Sequence, residues 1–387
     1  MTRPLRIAQV APPHEPVPPR GYGGTERVVA ALVDELVARG HEVTTFASGD
    51  SAVPGRLVPT VARALRPDGY RGDASPYVHA TLRAVLDRVH EFDLVHAHLE
   101  WASPILALAS PVPVVSTLHG RLDLPWAEEL LAGIPGLIAI SRSQASAQPA
   151  VPWAGIVHNG LDLSRAPVEL QRGDALVFVG RLAPEKGVLD AIEVARRSGR
   201  PLQIIAKRPA LPAEIDYHER IYLPALRAAG SSVEDLGELT GSDRDRVIAS
   251  SHALLMPGMW PEPFGLTAIE ALACGTPVLA RRVGALPEII REGVDGFFGD
   301  DVDHLAFLVA RVDGLDREAI RASVLERFSA TRMADRYEAI YRRTVARAAL
   351  GLVHVADATA PPDEAEVAPL QLMTERVARV ETASLRD

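Results

Sequence analysis

The chain has 387 residues, 47% hydrophobic and 24% charged, with a net charge of −9. That is ordinary globular usage at a length for two domains of about 100 to 200 residues each, which excludes a disordered or fibrous chain. The negative charge excludes general affinity for nucleic-acid backbones or anionic lipid surfaces, and Cys274, the only cysteine, excludes an intramolecular disulfide and a cysteine metal cluster.

The opening, MTRPLRIAQVAPPHEP, has one short apolar run followed by prolines, too short for a signal peptide or a membrane span, so a cytoplasmic protein with no membrane anchor is expected. Residues 6–11 (RIAQVA) predict a buried strand. Val28, Val29, Leu32, Leu36 and Val37 then repeat at helical spacing until Gly40, and EVTTFAS (42–48) predicts the next strand. A strand, a glycine-rich loop, a helix and a strand make a βαβ unit, and hence a parallel sheet. DLVHAH (93–98), VPVVSTLH (112–119), LIAIS (137–141) and GIVHNG (155–160) continue the rhythm. The segment 162–175 loses periodicity and reads as a linker. A second series follows, with strands at 176–180, 202–206, 253–257 and 277–281 and helices at 184–198, 242–251 and 264–273. Residues 331–350 predict a long helix after the second domain, and residues from 351 onward a flexible connector with one further helix.

Three segments carry candidate chemistry. Gly21-Tyr22-Gly23-Gly24-Thr25-Glu26 opens the first helix, where backbone N–H groups can approach an anion; the alternative is a tight turn with no ligand. Glu26 stands where a dinucleotide fingerprint needs glycine, which disfavours NAD. In Gly180-Arg181-Leu182-Ala183-Pro184-Glu185-Lys186-Gly187, Arg181 closes a strand and Lys186 is expected to open a helix. Both cations then lie at the carboxyl edge of a parallel sheet and suit a diphosphate; alternatively they are solvated surface charges. In Trp260-Pro261-Glu262-Pro263-Phe264-Gly265-Leu266-Thr267-Ala268-Ile269-Glu270, the prolines keep Glu262 ahead of a helix that Gly265 to Thr267 open. Glu270 falls about a turn inside, facing a pocket or, alternatively, solvent. His96 and His98 are expected on opposite faces of their strand, unable to share a metal. Asp301-Val302-Asp303 reads as helix capping rather than a metal-binding pair.

Together these segments, with HAH at 96–98, STLHG at 116–120 and HNGLD at 158–162, resemble glycosyltransferase family 4, of the retaining GT-B type, from residue 5 to about residue 345. The resemblance implies an α/β GT-B fold, two Rossmann-like doubly wound domains facing across a cleft. The expected division is an acceptor-side domain at 1–168, a donor domain at 169–330, a helix at 331–350 crossing back to the first domain, and a tail at 351–387. It implies that Gly23 and Gly24 approach the donor phosphate and that Arg181 and Lys186 bind the diphosphate. Phe264, Gly265 and Leu266 would contact the donor through backbone amides, Glu262 the transferred sugar and Glu270 the ribose, with His119 at the reacting centre. The expected partners are a nucleoside diphosphate sugar, a UDP-sugar above others, and a small soluble acceptor, with no cofactor, metal or nucleic acid. A GT-B epimerase or phosphorylase, or a non-catalytic nucleotide-sugar binding protein, would use the same pocket and remains the alternative.

Overall fold

The structure is a computed structural model describing residues 3–169 and 173–351. The connector and helix expected beyond residue 351 lie outside the described residues, as do residues 170–172 of the expected linker.

Two wholly parallel sheets organise the chain. The first holds β1 (Arg6–Val10), β2 (Glu42–Ser48), β3 (Arg56–Val61), β4 (Leu94–Ala97), β5 (Val114–Leu118), β6 (Leu137–Ala139) and β7 (Gly155–Ile156), in the spatial order β3-β2-β1-β4-β5-β6-β7. The second holds β8 (Leu176–Arg181), β9 (Leu202–Lys207), β10 (Val233–Gly237), β11 (Leu254–Met256), β12 (Val278–Ala280) and β13 (Gly296–Phe298), in the order β10-β9-β8-β11-β12-β13. Central strands such as β1 and β4 are covered on both faces, so their residues are almost wholly buried and read as continuous apolar runs. The sequence reading has no strand at β3, β10 or β13, and the structure adds all three at sheet edges. Strand β3 carries Pro59 and β10 carries Glu234 and Asp235, as strands with one exposed side do, and β13, Gly-Phe-Phe, is only three residues long.

Two further expectations are corrected. The stretch 184–198 is not one helix: Pro184–Lys186 form a single tight turn, Gly187 adopts the left-handed conformation at φ 74°, and the helix proper is Val188–Ser198. Lys186 therefore stands in the loop before that helix. His96 and His98 do not face opposite sides, because residues two apart on an extended strand share a face; their rings lie 4.0 Å apart.

The chain passes between the domains at two adjacent places. Leu161 donates its N–H to the Phe328 carbonyl (3.1 Å) and accepts from Ala330 (3.0 Å), so both passages are hydrogen-bonded to each other. The second leads into the helix Ala330–Ala349, which Ser329 caps by accepting from the Arg332 N–H at 3.2 Å. This crossing helix lies against the first domain and buries Tyr337 and Tyr341 completely. Glu288 adds another tie: its carboxylate accepts from the backbone N–H groups of Arg142 and Ser143 (3.0 and 2.8 Å) and lies 2.9 Å from His158 Nε2. Among the described residues no helix is long and apolar enough to cross a membrane.

Candidate active site

Each sheet reverses its strand order in the middle, the first between β1 and β4 and the second between β8 and β11. Such switch points open crevices at the carboxyl ends of strands, where open α/β sheets bind ligands. Here the crevices face one another and enclose a cleft of about 770 Å³ lined by both domains.

The second-domain wall comes from two loops. Arg181 ends β8 and pairs with Glu185 (2.9 Å) and Glu214 (3.2 Å). Lys186, in the turn that follows, pairs with Glu262 and lies 5.4 Å from the centre of the Trp260 ring. After β11 the chain runs through Trp260 and Glu262 to Gly265, whose φ of 109° suits glycine and sets the start of the helix Leu266–Ala273. A Cβ on Gly265 would also come within 3.0 Å of Leu286. Phe264, Gly265 and Leu266 line the cleft at this helix start, where N–H groups without helical partners favour negative charge. Glu270, one turn further in, is only 6% exposed, which removes the solvent-facing alternative. Its Oε1 takes ion pairs from Arg244 (2.9 Å) and from Arg27, which belongs to the first domain.

On the opposite wall, Gly23 precedes the helix Gly24–Ala38, as the glycine-rich segment predicts. A Cβ on Gly24 would sit 3.1 Å from Leu266 Cδ1, so the openings of the two helices nearly touch across the cleft. His119 follows β5 and lines the cleft; burial holds its imidazole down to about 4, so it is neutral near pH 7. Its backbone N–H and that of Gly120 donate to the Glu100 carboxylate at 3.0 and 3.2 Å.

The sequence reading misses Glu100, Arg27 and Arg244, all of which line the cleft. For Glu100 a signal existed, a carboxylate two residues past the HAH strand end. It adopts φ 48°, a left-handed conformation that costs a non-glycine residue of order 1 kcal/mol or more. Burial raises its carboxyl to about 7 against the opposing effect of its two N–H donors. Arg27 and Arg244 carry no local signal, since only the folded chain brings either to Glu270. Away from the cleft, Asp301 caps the helix Val302–Leu308 by accepting from the His304 N–H at 2.7 Å, and Asp303 pairs with Arg197. The capping reading of that acidic pair therefore stands.

The glycosyltransferase family 4 model matches residues 22–165, and the glycosyl transferases group 1 model matches residues 164–312. A glycogen synthase of Mycobacterium tuberculosis is 30% identical over 335 residues, covering 72% of this chain and 79% of that protein. The chain belongs to glycosyltransferase family 4. A D-inositol 3-phosphate glycosyltransferase of Mycobacterium bovis is 27% identical over 405 residues, covering 88% and 84% of the two chains. Among solved structures, AviGT4, a glycosyltransferase involved in avilamycin A biosynthesis, is 29% identical with a TM-score of 0.65, covering 89% of this chain and 98% of its own. HepE of Anabaena, in complex with UDP-glucose, shares the fold at 19% identity and a TM-score of 0.65, covering 90% and 100% of the two chains. This family 4 glycosyltransferase thus has the two-domain GT-B architecture that its motifs imply.

Proposed function

We propose that the protein transfers a glycosyl group from a UDP-sugar to a hydroxyl of a small soluble acceptor in the cytoplasm, with retention at the anomeric carbon and without a metal ion. The observation that carries this reading is the division of labour across the cleft. One wall gathers Arg181, Lys186, the helix opening at Leu266 and the buried Glu270, and the other presents His119 and Glu100.

Each group has work that its chemistry suits. Arg181, Lys186 and the N–H groups at Gly265 and Leu266 stabilise the departing diphosphate, with Gly23 and Gly24 approaching the same phosphates from the facing helix. These fixed positive groups supply the charge stabilisation that a metal supplies elsewhere, which is the ground for metal independence. Glu270 accepts from the ribose hydroxyls and Glu262 from a hydroxyl of the transferred sugar. Neutral His119 lies beside the reacting centre. The acceptor enters from the same face the diphosphate leaves, and its proton passes to the departing phosphate oxygen as the new glycosidic bond forms.

A screen of nucleotide sugars against mixed acceptors tests the reading, with mass spectrometry giving the class of sugar transferred and proton NMR of donor and product giving the sugar's identity and anomeric configuration. Turnover with UDP-sugars and an axial or equatorial product that keeps the donor's configuration is expected. Exclusive use of another nucleotide, inversion, or conversion of the donor alone into its epimer would refute it.

A further inference from the structure

Behind His119 a line of buried polar side chains runs from the cleft to the crossing helix. His119 Nε2 lies 2.9 Å from His98 Nδ1, and His98 Nε2 lies 3.1 Å from Gln9 Oε1. Gln9 Nε2 donates to the Tyr341 hydroxyl at 3.1 Å. A branch continues from Tyr341 to His96 Nδ1 (2.6 Å), from His96 Nε2 to Thr117 (2.7 Å) and from Thr117 to Tyr337 (3.0 Å). Gln9, His96, His98, Thr117, Tyr337 and Tyr341 are all fully buried. A polar atom left unpaired there would lose its hydration with nothing to replace it. Apolar side chains would fill the same space between β1, β4 and β5 without that exposure to loss, so core packing alone does not account for this set.

The direction of the hydrogen bonds follows along the line. The Gln9 amide turns its nitrogen to Tyr341 and its oxygen to His98, so His98 Nε2 carries a proton. Burial keeps His98 neutral, and a neutral imidazole has one N–H. His98 Nδ1 is then an acceptor, and His119 Nε2–H must donate to it. The branch agrees: with the Gln9 nitrogen donating to the Tyr341 oxygen, the Tyr341 proton goes to His96 Nδ1 and the His96 Nε2–H to Thr117.

We infer that Gln9, His98 and Tyr341 are positioning residues that hold His119 in its Nε2–H tautomer, so that its Nδ1 accepts a hydrogen bond from a hydroxyl of the bound sugar. The inference rests on the functional reading above for the identity of that sugar's carrier. Through Tyr341 the crossing helix, which enters directly from the second domain, sets the polarity of a side chain on the first-domain wall.

Two measurements on the intact chain test this. In nitrogen-15 NMR of the histidines, which needs no turnover, His119 is expected as the Nε2–H tautomer; an Nδ1–H tautomer overturns the inference whatever the enzyme's donor. In kinetics with a panel of UDP-sugars, Tyr341→Phe and His98→Leu should lower kcat about tenfold, the worth of one well-placed hydrogen bond, with UDP affinity unchanged. His98→Asn places a carbonyl oxygen near the lost Nδ1 and should recover kcat to within about threefold of wild type. Unchanged kcat in Tyr341→Phe, or UDP affinity falling in step with kcat, would overturn the positioning role. Absence of wild-type turnover across the panel would instead refute the UDP-sugar reading and leave the tautomer result to decide the inference.

Discussion

Replacing Glu270 by glutamine keeps the side chain's size and removes its charge, at a position 6% exposed where Arg244 (2.9 Å) and Arg27 converge on Oε1. If this carboxylate holds the ribose, the variant exchanges a charged acceptor for a neutral amide that offers one acceptor oxygen. A hydrogen bond to a charged group contributes about 1.5 to 3 kcal/mol, and each 1.4 kcal/mol is a factor of ten. The UDP dissociation constant should therefore rise about 10- to 100-fold. Folding stability should fall as well, because Arg27 and Arg244, only 30% and 17% exposed, lose the charged partner of a mostly buried ion pair. Titration calorimetry with UDP measures the first quantity and thermal melting the second. Glu262→Gln is the control: it lies ahead of the helix, and its loss should depress kcat while UDP binds as before. Wild-type UDP affinity in Glu270→Gln, or equal loss of affinity in the two variants, would refute the separation of ribose and sugar subsites.

Arg181→Ala and Lys186→Ala should each lower kcat/KM about ten- to hundredfold, and full activity of either across a donor panel would refute the diphosphate assignment. EDTA should leave turnover intact; abolition that a divalent ion reverses would overturn metal independence. Gly24→Val adds methyl groups where Leu266 Cδ1 lies 3.1 Å from the Cβ position. It should hold the domains apart, giving a larger radius of gyration in solution scattering with saturating UDP; a radius equal to wild type would refute the close approach. Glu100 is raised from 4.5 to about 7 by burial, so between those values the folded chain keeps a proton that the unfolded chain has released. Its contribution is full below 4.5 and lost as pH rises through 7. The melting temperature of Glu100→Gln relative to wild type should accordingly move in the variant's favour between pH 5 and pH 8, and a constant gap would contradict the shift.

The second-domain wall was largely legible in the chain because its parts are neighbours in sequence. Arg181 and Lys186 stand five residues apart around one strand end, and Glu262 and Glu270 flank one helix start that prolines and Gly265 set. Local rules of strand ends, proline and glycine act within such a span. The missing strands β3, β10 and β13 lie at sheet edges; partial exposure removes from β3 and β10 the apolar run that marks a central parallel strand, and β13 is only three residues long. His96 and His98 share a face because a strand repeats every two residues, and their rings lie 4.0 Å apart.

By itself the sequence determined the α/β rhythm, the two-domain division and the loops that meet at the strand ends, since these follow from periodicity and turn chemistry over a few residues. Only the tertiary structure decided which side chains meet. Arg27 reaches Glu270 across the cleft, Glu100 accepts from the loop that carries His119, and Gln9 meets Tyr341 over a separation of 332 residues. No periodicity links positions so far apart; parallel strand order and the return of the crossing helix bring them together, and burial then obliges each polar group to find its partner.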